Sequence, residues 1–149
     1  MIQLNLPGYA FRLRNSNGCD EIFDAFRKKF VALTPEEWVR QNFIRYLVEE
    51  KKYPASLIIP EHAIKVNKMN KRCDVVVHDT SGKPLLIVEC KSHTVKISQD
   101  VFDQIARYNI KLKVPYLIVT NGLEHYCCLI DHVEKKYSFM KDIPMYSEL

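Results

Sequence analysis

The chain has 149 residues, of which 47% are hydrophobic and 27% charged, with only 4 Gly and 7 Pro. This length suits one domain that buries a core without disulfides, and the composition excludes a disordered chain. The formal net charge of +4 is compatible with a polyanionic partner but is too small to identify one.

The amino-terminal residues contain no apolar run of signal-peptide length, and no stretch of the sequence is apolar enough to cross a bilayer. A cytoplasmic protein with no membrane partner is therefore expected. Five cysteines are an odd number without a CxxC pair, which argues against a disulfide framework or a zinc knuckle. No repeat or linker divides the sequence, so we expect one domain over 1–149, with an extension at 1–32, a core at 33–132 and a tail at 133–149.

Two helices are predicted in the first third of the chain. A short one is expected over 21–31, where hydrophobic residues recur at roughly helical spacing. A second should run from Thr34 to about Lys51, because Thr34 is a suitable N-cap, proline occupies the first helical position and Glu37 the capping-box position. The hydrophobic residues of the first helix are Ile22, Phe23, Phe26 and Phe30.

Three neighbouring strands are predicted next, at 57–66, 73–78 and 85–91, because these stretches are rich in Val and Ile and are separated by loops. Ser98 is a suitable N-cap for a further helix over 98–112. The stripe expected on one face of that helix contains Val101, Ile105, Tyr108 and Leu112.

Two more strands, at 116–120 and 125–130, flank Asn121-Gly122, the dipeptide most favoured in two-residue type I′ hairpins. From the capped helix onward the element order is helix-strand-strand-strand-helix-strand-strand. This order predicts an α/β or α+β fold with a mixed central sheet flanked by helices.

Two acids and a lysine are predicted to converge on adjacent strands. If the chain turns between Ser81 and Gly82, the antiparallel register sets Asp74 opposite Glu89, and Lys91 shares the face of Glu89. Opposed like charges are destabilising, and two carboxylates with water and phosphate oxygens suit Mg²⁺. The structural alternative is an ion-pair cluster of these three side chains at the sheet edge.

The same residues lie in a pattern that resembles a nuclease motif. Asp74 and the later Val88-Glu89-Cys90-Lys91 resemble the PD-(D/E)xK motif, in which Asp ends one strand and Glu-x-Lys lies on the next. Gln104 and Tyr108 resemble the QxxxY element of one branch of that superfamily, and their spacing of four places them on one helical face. Between about 20 and 130 the chain is similar to the N-terminal domain of type I restriction enzyme R subunits, through Leu33–Gln41, Val88–Lys91, Gln104–Asn109 and Val119–Gly122.

This resemblance implies a restriction-endonuclease-like core that hydrolyses DNA phosphodiester bonds with Mg²⁺, for which Mn²⁺ could substitute. Asp74, Glu89 and the backbone carbonyl of Cys90 would then bind the metal, and Lys91 would assist the attacking water. Alternatives to a nuclease are a DNA-binding or regulatory module of the same fold that needs a partner, and a structural domain with an ion-pair network.

Further site residues come from the helices. Many relatives add a helical acid, which Glu36 or Glu37 could supply, although the capping box also explains Glu37. Gln104 and Tyr108 would approach DNA or order the lysine, whereas Tyr108 could instead be a core aromatic on an amphipathic helix. Glu61 resembles an acid often found in the first strand of the restriction-subunit family, and an exposed strand charge is the alternative.

Basic residues offer possible DNA contacts. A cluster just before Asp74 could hold phosphates, with a solvated loop as the alternative. The cluster Arg27-Lys28-Lys29 could grip DNA or could be explained by the dipole at a helix C-terminus. The cluster before Asp74 contains Lys65, Lys68, Lys71 and Arg72.

Type I R subunits continue into an ATP-driven motor, but this sequence has no GxxxxGK[ST] loop. No ATP site is therefore expected, and the expected partners are DNA together with motor or specificity subunits.

Overall fold

The computed structural model describes the backbone of residues 1–66 and 69–149 and the side chains of residues 1–61 and 73–149. Lys65, Lys68, Lys71 and Arg72, the basic residues predicted to bind DNA, have side chains outside the described residues. Two sheets and two α-helices form the described part. The strands are β1 (Leu13–Ser16), β2 (Cys19–Asp24), β3 (Lys29–Ala32), β4 (Ile58–Val66), β5 (Met69–His78), β6 (Pro84–Cys90), β7 (Tyr116–Thr120), β8 (His125–Asp131) and β9 (Lys136–Phe139); the helices are α1 (Pro35–Glu49) and α2 (Gln99–Ile110).

The central sheet has six strands in the order β4-β5-β6-β7-β8-β9. Its pairs are antiparallel except β6–β7, which is parallel because α2 carries the chain back across the sheet between these two strands. The predicted fold class, with a mixed central sheet flanked by helices, is confirmed. Of the helices in the described ranges, neither is long and apolar enough to span a membrane.

The helices cover opposite faces of this sheet, and each face has its own hydrophobic core. Adjacent side chains of a strand point to opposite faces, so neighbouring residues such as Cys127 and Cys128 belong to different cores. The first core joins α1 to Val75, Val77, Leu86, Val88, Cys90 and Ile118. The second joins α2 to Cys73, Val76, Ile87, Leu117 and Val119.

Both capped helices begin as predicted. The hydroxyl oxygen of Thr34 accepts a hydrogen bond from the backbone N–H of Glu37 (3.0 Å), and Pro35 is the first residue of α1. The Ser98 hydroxyl accepts in the same way from the N–H of Val101 (3.3 Å) at the start of α2. Each cap satisfies a backbone donor that has no partner within the helix.

The helix predicted over 21–31 is wrong, because this segment forms β2, a turn and β3. The carboxylate of Asp24 accepts hydrogen bonds from the N–H groups of Phe26 and Arg27 (2.8 and 3.1 Å) and holds the turn. Phe23 then lies opposite Phe30 across the ladder, with ring centres 5.3 Å apart. Paired aromatic rings stabilise a hairpin, and with β1 this hairpin forms a separate three-stranded sheet.

Two further details differ from the sequence prediction. The buried residues of α2 are Phe102, Ala106 and Asn109, and Phe102 packs on Phe139 of β9 (ring centres 4.8 Å apart), a strand that was not predicted. Of the predicted stripe, Leu112 is buried and Ile105 packs on the second core, whereas Tyr108 is exposed. The turn after β7 spans four residues, since Thr120 pairs with His125. The predicted two-residue turn is therefore wrong.

An amino-terminal strap, residues 2–5, is fixed against the β7–β8 turn. The N–H of Asn5 donates to the carbonyl of Gly122 (2.8 Å), and Leu4 is buried in the first core. A Cβ atom at Gly122 would lie 2.7 Å from the Leu4 side chain, and Gly122 has a φ of +85°, so both contact and backbone favour glycine. The tail packs on the same core through Met140, Ile143, Tyr146 and Leu149.

Candidate active site

The β5–β6 hairpin positions the two predicted catalytic acids. Its register pairs Val75 with Val88 and Val77 with Leu86, as predicted, and the pairing shifts only at His78, beside the turn. Continuing this register brings Asp74 to the level of Glu89. The strands therefore deliver both acids to the same end of the hairpin, away from the turn.

The carboxylate of Asp74 is held at the strand end. Its Oδ2 accepts a hydrogen bond from the backbone N–H of Cys90, the residue that follows Glu89 (2.7 Å). Side-chain alternation along β5 breaks here, because Cys73 packs in the same core as Val76, three residues later. On β4, Glu61 has a φ of +50°. Asp74 thus lies at an irregular point of the sheet.

Burial raises the pKa of the Asp74 carboxyl to about 6, although the hydrogen bond from Cys90 opposes the rise. The negative charge of Glu89 raises this pKa further, Arg40 lowers it, and Glu36 adds to the increase. Asp74 is consequently a half-buried carboxyl with two acids nearby and one guanidinium to balance them. An added cation would favour its charged form.

The other predicted ligands follow on β6. Glu89 is half-buried. It lies two residues after Ile87 on the strand and therefore shares its face, the α2 side of the sheet. Cys90 is buried in the first core, and burial raises the pKa of its thiol well above the ordinary value, so the thiol stays neutral and only the backbone carbonyl could bind a hard cation. Lys91 follows the strand, and its N–H donates to the carbonyl of Thr120 (2.8 Å).

No group of three or more His, Cys, Asp or Glu side chains with metal-binding geometry occurs among the side chains of 1–61 and 73–149. A magnesium ion between Asp74 and Glu89 would therefore need backbone carbonyl and water ligands, which is how proteins commonly hold this ion. The metal-binding roles of Asp74, Glu89 and Cys90 remain predictions.

Glu37 belongs to a partly buried ion-pair network that joins the β2–β3 turn, α1 and β4. Its Oε2 accepts from Arg40 (2.7 Å), and its Oε1 accepts from Arg27 and from the amide of Gln41 (3.1 Å). Both oxygens are thus engaged by guanidinium groups. Glu61 accepts from the same arginines, from Arg27 at 2.9 Å and from Arg40 at 2.8 Å, and Asp24 also pairs with Arg27.

This network separates the two candidates for the helical acid. Glu37 is committed to arginines, whereas Glu36 is exposed in the first turn of α1 and is close enough to raise the pKa of Asp74. The structure therefore favours Glu36 over Glu37 as the acid nearest the site. Arg27, interpreted from sequence as a DNA contact or a helix C-terminal charge, has ion-pair partners, and the helix assumed for it is absent.

Gln104 and Tyr108 are both exposed on the outer face of α2, with 45% of Tyr108 accessible to solvent. The interpretation of Tyr108 as a core aromatic is therefore wrong. Beside them lies an open depression, which also contains Arg107 and Lys111. Exposed polar and basic groups on one helix face could contact a polyanion, but Asp100 and Asp103 share this depression.

Arg40 is the residue of this region that the sequence prediction missed. Its side chain is buried, bridges Glu37 and Glu61, and lowers the pKa of Asp74. One signal was available, since Arg40 follows Glu37 by three residues and such pairs are neighbours on a helix. The second partner, Glu61, lies on another element and leaves no local pattern.

Comparison with known proteins gives a consistent picture. Residues 35–144 match the family described as type I restriction enzyme R protein N terminus (HSDR_N). Among solved structures the chain resembles a fragment of a putative HsdR subunit of a type I restriction enzyme from Vibrio vulnificus YJ016, with a TM-score of 0.55 and 20% identity. The match covers 78% of this chain and 24% of that one, so this chain spans about a quarter of its length. No curated protein sequence matches significantly.

Proposed function

Because the chain belongs to the family of type I restriction enzyme R protein N termini, we propose that it is a Mg²⁺-dependent nuclease domain that hydrolyses DNA. One observation carries the proposal. The Asp74 carboxylate is fixed by the Cys90 N–H beside Glu89, and burial raises its pKa to about 6. A carboxyl with a raised pKa held beside a second acid is typical of catalytic sites, and the Asp, Glu-x-Lys spacing resembles a nuclease motif.

The residues present fit a magnesium ion, because two carboxylates and a backbone carbonyl are hard oxygen donors. Asp74, Glu89 and the carbonyl of Cys90 would hold it, with Glu36 near enough to act through water. Bound there, Mg²⁺ would supply positive charge to the scissile phosphate and lower the pKa of a water. Lys91 would orient that water or stabilise charge on the phosphate. Because its backbone N–H is bonded to the carbonyl of Thr120, its side chain stays at this end of the strand.

A second candidate function is a DNA-binding or regulatory module that acts only with a partner. It is favoured by the commitment of Glu37 to arginines, which leaves one fewer carboxylate for metal. Motor or specificity subunits would then be the partners. Activity of the isolated chain separates the two candidates.

The proposed function is tested by nicking of supercoiled plasmid DNA. With Mg²⁺ or Mn²⁺ the purified chain should convert supercoiled DNA to the open circular form, and EDTA should stop the reaction. Asp74→Asn and Glu89→Gln should be inactive, and Glu148→Gln, in the exposed tail, should cleave like the parent chain. Cleavage that survives EDTA or both substitutions would rule out this site, whereas no cleavage by the parent would favour the partner-dependent module.

Asp74→Asn is expected to stabilise the metal-free protein at neutral pH. The folded-state pKa of about 6 exceeds the ordinary value of 3.8, so the charged carboxyl costs free energy on folding that develops between about pH 4 and 6 and is complete above it. Removing the charge should raise the free energy of unfolding by about 1–3 kcal/mol at pH 7. The difference between the proteins should vanish below pH 4, which thermal melts across pH will measure.

The same melts test metal binding. Mg²⁺ or Mn²⁺ should raise the Tm of the parent chain by linkage to the folded state and leave that of Asp74→Asn nearly unchanged. Equal shifts in both proteins would show that Asp74 is not a ligand. Glu148→Gln serves as the matched control and should respond like the parent.

A further inference from the structure

A cavity of about 280 Å³ lies between the amino-terminal sheet and α1, outside the candidate active site. We call it the hairpin pocket. Its walls combine aromatic rings with two guanidinium groups and one amide, a mixture unlike an ordinary apolar gap. The residues that carry the argument are Phe11, Arg12, Phe23, Phe26, Gln41 and Arg45.

The arginines of this surface lie over aromatic rings. The guanidinium carbon of Arg12 is 4.7 Å from the ring centre of Phe23, and that of Arg45 is 5.2 Å from the ring centre of Phe11. On the adjoining strand Arg14 lies 3.9 Å from the ring centre of Phe30, although it also pairs with Glu21. Cation–π contact orders these long side chains and keeps their charge at the surface.

The positive charge is only partly neutralised. Arg12 is exposed on the rim of the pocket, and Arg45 makes one long ion pair with Glu49 (3.5 Å) while half-exposed. A flat, π-faced ligand with an attached negative charge would satisfy both the rings and the guanidiniums. Aromatic rings interleaved with arginines are how proteins hold unpaired bases and their phosphates.

We propose that the hairpin pocket binds an unpaired nucleobase of a DNA strand, with the rings and guanidinium planes stacking on the base and Arg12 contacting its phosphate. The choice of DNA rests on the proposed function. Bases inside a duplex have their faces covered by neighbours, so the pocket selects single-stranded or flipped-out nucleotides. The amide oxygen of buried Gln41, which lines the pocket, would meet the edge of the base, since its Nε2 already donates to Glu37.

The pocket and the candidate active site both border α1, the pocket through Gln41 and Arg45 and the site through Glu36. Gln41 follows Glu36 by five residues on α1, which corresponds to about 8 Å along the helix axis. Between them lies the ion-pair network of Glu37 and Arg40, which fixes the hairpin to α1. The pocket thus borders the same helix whose first turn carries Glu36.

The test is direct binding of a short single strand that carries one fluorescent 2-aminopurine, measured in EDTA so that no metal chemistry contributes. Stacking in the pocket should quench the fluorophore, and the strand should bind at least tenfold more tightly than a duplex or an abasic strand of equal length. Combined Arg12→Ala and Arg45→Ala should weaken binding about tenfold or more. Phe11→Leu, which keeps apolar bulk, should abolish the quenching.

Lys141→Ala removes one exposed charge from the tail and should change affinity less than twofold. Thermal melts establish that each variant is folded. Equal affinity for the abasic strand, or equal losses in Arg12→Ala with Arg45→Ala and in Lys141→Ala, would overturn the proposal by showing binding through charge alone. Quenching without any nicking activity would uphold the pocket and count only against the proposed function.

Discussion

Replacing Lys91 with alanine should reduce metal-dependent DNA cleavage by about 10²–10⁴-fold, the usual contribution of one positioned proton-transfer or charge-stabilising group. Metal binding should persist, because the ammonium group acts on water or phosphate and does not bind the cation. The backbone N–H of residue 91 would still donate to Thr120, so the strand end should keep its position. Single-turnover nicking and the metal-induced shift in Tm are the two measurements.

Lys96→Ala provides the matched control, since Lys96 is an exposed lysine in the loop after β6. It removes the same charge five residues farther along the chain and should cleave within about twofold of the parent. Cleavage by Lys91→Ala at the parent rate would remove the lysine from the mechanism. Loss of both cleavage and metal binding would instead point to a structural role for Lys91 in forming the site.

Arg40→Ala should lower the free energy of unfolding by about 3 kcal/mol. The substitution leaves the buried carboxylate of Glu37 with one guanidinium fewer and removes a partner of Glu61, and breaking a buried pair typically costs about 3–5 kcal/mol. The lower end applies because Arg27 still contacts Glu37. For a chain of this size the Tm should fall by roughly 6–12 °C.

Arg45→Ala is the control on the same helix, because its ion pair with Glu49 is long and half-exposed and its other charged contacts are cation–π contacts with Tyr9 and Phe11. The loss of these contacts should cost about 1–2 kcal/mol. Arg40→Leu combined with Glu37→Gln removes both buried charges and should recover part of the stability lost in Arg40→Ala. Equal melting temperatures for Arg40→Ala and Arg45→Ala would show that the network contributes little to folding.

The central sheet could be predicted because its signals are local. Thr34 and Ser98 cap their helices through hydroxyl groups one turn away, and Val- and Ile-rich runs mark the strands. The register of the β5–β6 hairpin followed from one short turn. Strand spacing then brought Asp74 to the level of Glu89, as sequence alone had suggested.

One feature that escaped prediction depends on a local turn, and the others depend on distant partners. Phe23, Phe26 and Phe30 fit a helical spacing as well as a hairpin, and only the turn held by Asp24 decides between them. The network around Glu37 draws its charges from three separate segments, so no window of sequence contains it. The stripe of α2 was misplaced in part for the same reason, because β9, on which Phe102 packs, lies far along the chain.

The amino-terminal strap imposes an order on the synthesis and folding of the chain. Asn5 contacts Leu123 and His125, which follow it by 118 and 120 positions, so a ribosome releases the strap long before its partners exist. Leu4 then stays exposed until the β7–β8 turn has emerged, and only after that can the strap dock. Closing so long a loop is among the slower steps of folding, so the strap should be among the last segments to be placed.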